Sequence, residues 1–285
     1  FKDDDDKKIE RGDIWTVKFD AFGSLWMGTQ SKGLLKYDNT SLLKTYSNKN
    51  EVKNSLTPGW ANNVREISGG KILITTGGQN GSGGFNVLDP ETDMISIIPN
   101  NEIAPLIWGI NSVYETAPGN YIINTFRDNY TFQPATRKVE KLSFPGVPDN
   151  TLIWTFYTDK QQNFWMGSAR GLYKKSKGAN SFKLYEPAAL PGSNLTSNEI
   201  NGILESRYNG LWLRSNNGLF FYDYATDKIV RHGVDKAKGD VFFSQDVNAI
   251  YEDSDSILWV GTWQGGLGKY NVRTRKIKNY TTENG

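Results

Sequence analysis

The chain has 285 residues, with 33 basic and 31 acidic side chains, a net charge of +2 and no cysteine. This balance gives no electrostatic basis for binding nucleic acid or an anionic membrane, and the lack of cysteine excludes disulfides and thiolate metal sites. No run of 18 apolar residues occurs, so the sequence predicts no membrane-spanning segment.

Residues 1–11 fit two interpretations. The Asp-rich start, Phe1–Lys7, looks like an epitope tag with a protease site. Residues 1–11 also align without gaps on Phe221–Arg231, which lies inside the repeat described next. In that second interpretation they are the outer strand of a preceding repeat, and the chain is a natural fragment.

Six copies of one repeat make up residues 12–285. Each copy has a strand-like run, a turn, Leu-Trp-hydrophobic-Gly-Thr or a variant, and then Gly-Leu-x-x-Tyr. The Trp position, called here the anchor, recurs at residues 26, 73, 122, 165, 212 and 259, with Leu73 and Ile122 in the two degenerate copies. Four short strands in roughly 40–50 residues are typical of a β-propeller blade. The predicted repeats are 12–57, 58–105, 106–149, 150–195, 196–242 and 243–285.

The pattern predicts an all-β propeller of four-stranded blades with essentially no helix. Six repeats fit a six-bladed ring, or a seven-bladed ring of which part is missing. In the first repeat the predicted strands are Thr16–Phe19, Leu25–Gly28, Leu34–Tyr37 and Leu43–Tyr46. In the last repeat they are Val247–Tyr251, Ile257–Gly261, Leu267–Tyr270 and Lys276–Tyr280.

Large apolar residues at two positions of the repeat are expected to fill the space between blades. The first position holds the anchor tryptophans Trp26, Trp165, Trp212 and Trp259. The second, nine residues earlier, holds Val17, Val64, Val113, Phe156, Ile203 and Ile250.

Five further tryptophans stand outside the anchor position. Trp15 and Trp154 lie eleven residues before their anchors, at the start of the innermost strand, where the other repeats have Asn. Two more lie in loops before that strand and one in the loop after the second strand, and these loops emerge on one face of a propeller. Exposed aromatic rings usually indicate recognition. The predicted ligand-binding residues are Trp15, Trp60, Asn62, Trp108, Asn111, Arg127, Trp154, Arg170, Asn201, Asn248, Trp263 and Gln264.

Flat apolar rings beside amide groups suit a sugar, and Arg127 and Arg170 would suit an acidic one. In the competing interpretation, Trp15 and Trp154 plug a narrow channel and the Asn side chains satisfy backbone groups. The Gly-rich stretch Gly77–Gly84 lacks the ending of a phosphate-binding loop, and we expect it to be a loop on the binding face.

The sequence gives little basis for catalysis. The single histidine, His232, is expected on the surface, so no zinc set and no Ser-His-Asp triad can be assembled. The recurring Asp20, Asp159 and Asp253 are expected to hydrogen-bond their own turns. We therefore expect a binding protein with no metal or cofactor. The alternatives are a propeller lyase or hydrolase acting on polysaccharide, and a protein-binding or spacer propeller.

The repeat, as written in Val247–Asn271, resembles the two-component regulator propeller repeat. The resemblance implies the periplasmic sensor domain of a hybrid two-component histidine kinase from Bacteroidetes, with a small-molecule ligand that is often an oligosaccharide. It also implies that the kinase lies outside this chain and that a homodimer would form through parts C-terminal to it.

Overall fold

The computed structural model describes residues 14–30, 32–37, 44–48, 55–77, 82–103, 109–187, 198–235, 240–242, 244–253 and 255–281. Both interpretations of residues 1–11 therefore lie outside the described residues. The chain divides into two compact units, residues 1–142 and 143–285. Each unit consists of three consecutive four-stranded antiparallel sheets.

The first unit holds blades 1 to 3. Blade 1 has β1 (Ile14–Phe19), β2 (Leu25–Thr29), β3 (Leu34–Tyr37) and β4 (Lys44–Tyr46). Blade 2 has β5 (Trp60–Ile67), β6 (Lys71–Gly77), β7 (Gly83–Asp89) and β8 (Met94–Pro99), followed by a 3₁₀-helix at Asn100–Glu102. Blade 3 has β9 (Ile110–Ala117), β10 (Asn120–Thr125), β11 (Asn129–Gln133) and β12 (Lys138–Leu142).

The second unit holds blades 4 to 6. Blade 4 has β13 (Ile153–Thr158), β14 (Phe164–Ser168), β15 (Gly171–Lys175) and β16 (Lys183–Tyr185). Blade 5 has β17 (Gly202–Ser206), β18 (Gly210–Ser215), β19 (Gly218–Asp223) and β20 (Lys228–His232). A small hairpin of β21 (Val234–Asp235) and β22 (Asp240–Val241) leads to blade 6. Blade 6 has β23 (Val247–Glu252), β24 (Ile257–Thr262), β25 (Gly266–Asn271) and β26 (Ile277–Tyr280).

The predicted fold class, an all-β propeller of four-stranded blades, is confirmed. The predicted strands of the first and last repeats agree with the observed ones to within about two residues, and no α-helix occurs in the described part of the chain. Within a blade the strands are called a to d in chain order. Because neighbouring strands are antiparallel, the start of strand a, the end of strand b and the b–c turn share one end of the blade, called here the b–c end.

The tryptophans of the repeat fill the space between consecutive blades of a unit. Trp26, Trp165 and Trp212 are fully buried, each in a cluster with apolar residues of the next blade. The prediction is wrong for Trp259, which is only partly buried, and for Val17, which is 52% exposed. Trp259 belongs to blade 6 and Val17 to blade 1, whereas Ile122 of blade 3 and Phe156 of blade 4 are buried at the same positions of the repeat.

A turn carboxylate fixes most of these indoles. Asp20 accepts hydrogen bonds from the backbone N–H groups of its own turn, as predicted, and also from Trp26 Nε1 at 2.7 Å. Asp159 and Asp253 bind Trp165 and Trp259 in the same way, at 2.7 and 3.0 Å. In blade 5 the matching residue is Ser206. Trp212 Nε1 is buried and has no hydrogen-bond partner.

In four of the blades a second carboxylate joins the blade to the one before it. A glutamate at the end of strand a accepts a hydrogen bond from a backbone N–H in the a–b turn of the preceding blade. The four pairs are Glu66 with Ala21, Glu115 with Ser68, Glu205 with Lys160, and Glu252 with Arg207, at 2.7–3.3 Å. The same position is Phe19 in blade 1 and Thr158 in blade 4, the first blades of their units.

His232 does not lie on the surface, so that prediction is wrong. Its ring packs against Trp212 with centroids 5.1 Å apart, and its Nδ1 is 2.7 Å from the Tyr270 hydroxyl. Burial, with a smaller effect of Arg275, lowers the pKa of His232 to about 4. The sequence places His232 on the outer strand, but it does not show that blade 6 packs over this strand end.

Candidate functional site

A β-bulge recurs in strand a of five blades, at the position eleven residues before the anchor. In blade 4, Ile153 pairs with Ser168 and Thr155 with Gly167, so Trp154 is the extra residue. The other bulge residues are Trp15, Asn62, Asn111 and Asn248. In blade 5 the pairing begins directly after Asn201. A bulge redirects a side chain out of the strand alternation and is frequent beside functional sites.

The two bulge asparagines of the first unit, Asn62 and Asn111, form hydrogen bonds within the protein. Asn62 Nδ2 donates to the Ile110 carbonyl at 3.1 Å, and Asn62 Oδ1 accepts from Thr75 Oγ1 at 2.9 Å. The neighbouring Asn63 donates to the Asn111 carbonyl, and Asn111 Nδ2 donates to Asn124 Oδ1. These bonds connect blades 2 and 3. For Asn62 and Asn111 they support the interpretation in which amide side chains satisfy internal polar groups.

The loops of the first unit expose aromatic rings at the b–c end. Trp60 is 41% exposed at the start of β5, and Phe126, beside the predicted Arg127, is 56% exposed. Arg127 is exposed, and its backbone N–H donates to Thr125 Oγ1. Trp108 and the side chain of Trp15 lie outside the described residues, as does the middle of the Gly77–Gly84 stretch.

The bulge residues of the second unit keep unused hydrogen-bonding atoms. Trp154 is partly buried, and its Nε1 has no partner. Asn201 Nδ2 donates to Asn216 Oδ1 in the b–c turn of blade 5, whereas Asn201 Oδ1 is buried without a partner. Asn248 is exposed. Buried polar atoms are nearly always paired, so these two unpaired atoms at equivalent positions are candidate contacts for a ligand.

The predicted loop residues of the second unit are exposed. Trp263 is 58% exposed in the b–c turn of blade 6, and its backbone N–H donates to the Asp246 carbonyl at 2.8 Å. Gln264 follows in the left-handed conformation, with φ of 56°. Arg170 is exposed in the b–c turn of blade 4, with its backbone N–H on Ser168 Oγ. Trp263 therefore presents an accessible ring from a turn whose backbone is hydrogen-bonded to that of Asp246.

Arg214 is a site residue that the sequence reasoning missed. At its position blades 1, 4 and 6 have glycine, and a Cβ on Gly28 or Gly167 would lie 2.5 Å from a carbonyl of the next blade. Blade 5 instead has Arg214 on strand b, paired with Gly202 on strand a. A Cβ on Gly202 would overlap the Arg214 side chain, so Gly202 makes room for it. The signal was visible as a departure from the glycine of the motif.

The charge of Arg214 is poorly compensated. No hydrogen bond or ion pair joins its side chain to another residue in the described part of the chain. Burial lowers the pKa of Arg214, and only the field of Asp246 opposes this. Burial likewise raises the pKa of the Asp246 carboxyl, and Asp246 Oδ1 has no hydrogen-bond partner. The b–c ends of blades 5 and 6 thus combine a guanidinium, an amide oxygen and a carboxylate oxygen that lack partners.

Two kinds of feature are not found in the described residues. No group of three or more His, Cys, Asp and Glu side chains is placed to hold a metal ion there. No helix within those ranges has the length and apolar character needed to cross a membrane. The arrangement that is found can bind a polar ligand, with tryptophan rings beside hydrogen-bonding groups.

The comparisons with known proteins agree with the repeat and the fold. Residues 242–264 match the family model described as two component regulator propeller, which confirms the resemblance seen in the repeat. Over 74 residues the chain is 34% identical to Histidine kinase P4 of Formosa agariphila. The aligned part covers 26% of this chain and 5% of that kinase.

Solved structures confirm the propeller fold. The extracellular domain of the putative hybrid two component system BT3049 from B. thetaiotaomicron is similar, with a TM-score of 0.68 and 20% identity. That match covers 97% of this chain and 36% of the solved chain. YCF48 from Cyanidioschyzon merolae is also similar, with a TM-score of 0.62 and 13% identity over 96% of this chain and 86% of that one. At such identities the likeness shows the fold alone.

Proposed function

We propose that this chain is the ligand-sensing propeller of a hybrid two-component sensor. It lies outside the cytoplasm, in the periplasm, and binds an oligosaccharide. The match of residues 242–264 to the two component regulator propeller model supports the sensor role. The similarity to an extracellular domain of a putative hybrid two component system supports the same role and location. The chain spans about a third of that domain, so the kinase and its signalling belong to the rest of such a protein.

One observation carries the choice of ligand. In the second unit, Trp154 and Asn201 occupy equivalent positions and each keeps a buried polar atom without a partner, and Trp263 is exposed at the b–c end of blade 6. An indole ring packs on the apolar face of a sugar, while unpaired N–H and C=O groups bind its hydroxyls. Leaving such atoms unpaired costs about 1–3 kcal/mol each, which a ligand hydroxyl would recover.

A thermal-shift screen against oligosaccharides tests this proposal. A ligand that binds only the native state raises the apparent melting temperature by mass action. Trp263→Ala should weaken the shift without lowering the stability of the free protein, because the ring is exposed. Phe22→Ala is a matched control, since Phe22 is 77% exposed at the opposite end of a blade in the other unit. A shift that survives Trp263→Ala unchanged would contradict the proposed site.

The proposed activity is binding, and the chain itself performs no catalysis. Incubation with polysaccharides, followed by assays for unsaturated products and reducing ends, separates it from a lyase or hydrolase. Turnover that disappears on mutation of the site residues would replace the binding proposal with an enzymatic one. A protein that gives no shift and no product with any sugar would be a protein-binding or spacer propeller.

A further inference from the structure

We propose that the b–c ends of blades 5 and 6 bind the acidic group of a sugar, with a carboxylate or sulfate on Arg214 and neighbouring hydroxyls on the unpaired oxygens of Asn201 and Asp246. This inference rests on the proposed function and names the chemical class of the ligand.

The site is built into the repeat. Blade 5 has exchanged the usual residues of the a–b pair: blades 1 and 4 have threonine on strand a opposite glycine on strand b, whereas blade 5 has Gly202 opposite Arg214. Arginine at this point without a glycine beside it would overlap strand a. The paired exchange places the long side chain of Arg214 against Gly202, whereas in blades 1 and 4 a threonine methyl lies against the glycine.

The side chains around Arg214 are held so that they face a ligand. Asn201 Nδ2 is fixed by Asn216, whose own amide donates to Glu199 Oε2 at 3.1 Å. This leaves Asn201 Oδ1 as the open acceptor. Asn217, next in the same turn, accepts hydrogen bonds from the Arg231 guanidinium through its carbonyl and its Oδ1. The turn that positions Asn201 is therefore itself anchored to strand d.

Arg231 holds the b–c turn of blade 5 in place. Arg231 Nη2 also donates to Gln245 Oε1 at 3.3 Å, which connects blade 5 to the segment entering blade 6. Asp246 follows Gln245 directly. Burial lowers the pKa of Arg231, and its Nε and Nη1 have no partner. Arg231 therefore adds a second guanidinium, with unused donors, to the blade that carries Arg214, which makes this region favourable for an anion.

Asp246, whose Oδ1 has no hydrogen-bond partner, limits the kinds of ligand that can bind here. Its carboxylate would repel an anion placed against it, so the acidic group has to contact Arg214 on the side away from Asp246. A hydroxyl next to the acidic group can then donate to Asp246 Oδ1. Uronic acids and sulfated sugars carry both groups on one ring, whereas a neutral sugar lacks the anion and an inorganic anion lacks the donors.

Calorimetric titration tests the inference with three probes: tri-galacturonate, its methyl ester, and a sulfated galactose trisaccharide. The carboxylate and sulfate probes show which acidic group is preferred, and the ester removes only the charge. We expect the charged form to bind roughly 10- to 100-fold more tightly than the ester, as a charge-assisted bond to guanidinium allows. Arg214→Gly restores the residue of blades 1, 4 and 6 and should fold. It should abolish this preference. Arg273→Ala, at an exposed residue in the c–d turn of blade 6 and so at the opposite end of the blade, should keep it.

The outcomes separate this inference from the proposed function. Neutral oligosaccharides that bind while both acidic probes fail would overturn the acidic subsite and leave the sensor proposal intact. If Arg214→Gly weakens acid and ester equally, Arg214 only supports the structure, through water shared with Asp246, and the subsite is refuted. If no sugar binds at all, both proposals fail together.

Discussion

The blade junctions of the two units use the same positions of the repeat in opposite ways. Between blades 2 and 3, Asn62, Asn63 and Asn111 bind carbonyls and side chains of the protein itself. In blades 5 and 6, Asn201 Oδ1 and Asp246 Oδ1 are buried without hydrogen-bond partners, and the charge of Arg214 is opposed only by the field of Asp246. A junction that satisfies its own polar groups stabilises the fold, and one that does not is available for a ligand. The comparison supports placing the proposed binding site in the second unit, in addition to what exposure alone indicates.

The largest effect should come from removing the buried ring of Trp212, which packs between blades 5 and 6. Trp212→Ala should lower the free energy of unfolding by about 3–5 kcal/mol through the cavity it leaves. Trp212→Phe should cost less than Trp26→Phe, because Trp26 Nε1 binds Asp20 and Trp212 Nε1 binds nothing. Urea unfolding of the four proteins, Trp26→Phe and the two Trp212 variants beside the parent, measures this. If both phenylalanine variants lose the same free energy of unfolding, the hydrogen bond from Trp26 Nε1 to Asp20 does not contribute to stability.

A pH effect of somewhat smaller size should belong to the second unit, because His232 is the chain's single histidine. Its pKa is about 4 in the folded protein and about 6.5 in an unfolded chain. Between these values only the unfolded state binds the proton, so stability is lost as the pH falls from 6.5 towards 4. The loss is at most about 3 kcal/mol, and less because His232 is only partly buried.

The control for this effect is His232→Gln, which cannot take up the proton. Unfolding curves of the variant at pH 7 and pH 4.5 should lie closer together than those of the parent. Carboxylates titrate alike in both proteins, so the difference isolates His232. Identical pH dependence of the two would mean that His232 is solvated and that blade 6 does not cover it.

The smallest effects on stability should come from single asparagine substitutions, one between blades 2 and 3 and one in blade 5. Asn63→Ala should destabilise the protein by about 1–3 kcal/mol, because it removes the amide that donates to the Asn111 carbonyl and to Thr75 Oγ1. Asn201→Ala should change stability far less and should weaken ligand binding instead. Thermal melts with and without a bound oligosaccharide distinguish the two. If Asn201→Ala destabilises as much as Asn63→Ala, the two junctions do not differ.

The spacing of the repeated motif identified the blades and their strands. It also singled out the position eleven residues before the anchor, where the structure has the bulges. The anchor Trp and the apolar alternation are local signals, and they suffice to place Trp154 or Asn62 at the start of a strand. They cannot show which atoms pair across blades, which is why Asn62 and Asn201 looked equivalent. The same limit explains the errors at His232 and Trp259, since the cover over each depends on the neighbouring blade.

Arg214 could have been found from the sequence. The repeat has glycine at this position in three blades, and Gly202 is the compensating change on the partner strand. A substitution of glycine by a large cation in an otherwise regular motif is informative when its partner changes with it. Reading the repeat for its exceptions, rather than its consensus, would have identified Arg214 before the loop arginines.

The glutamates that reach back to the preceding turn give the array a direction. Each later blade supplies the carboxylate and each earlier blade the N–H, so a newly synthesised blade meets a prepared receptor on the one already folded. Blades 1 and 4, with Phe19 and Thr158 at this position, lack this carboxylate. Duplication of a Glu-bearing blade would generate a compatible joint in a single genetic step. Such a polarity gives a simple route by which propellers of this kind gain blades.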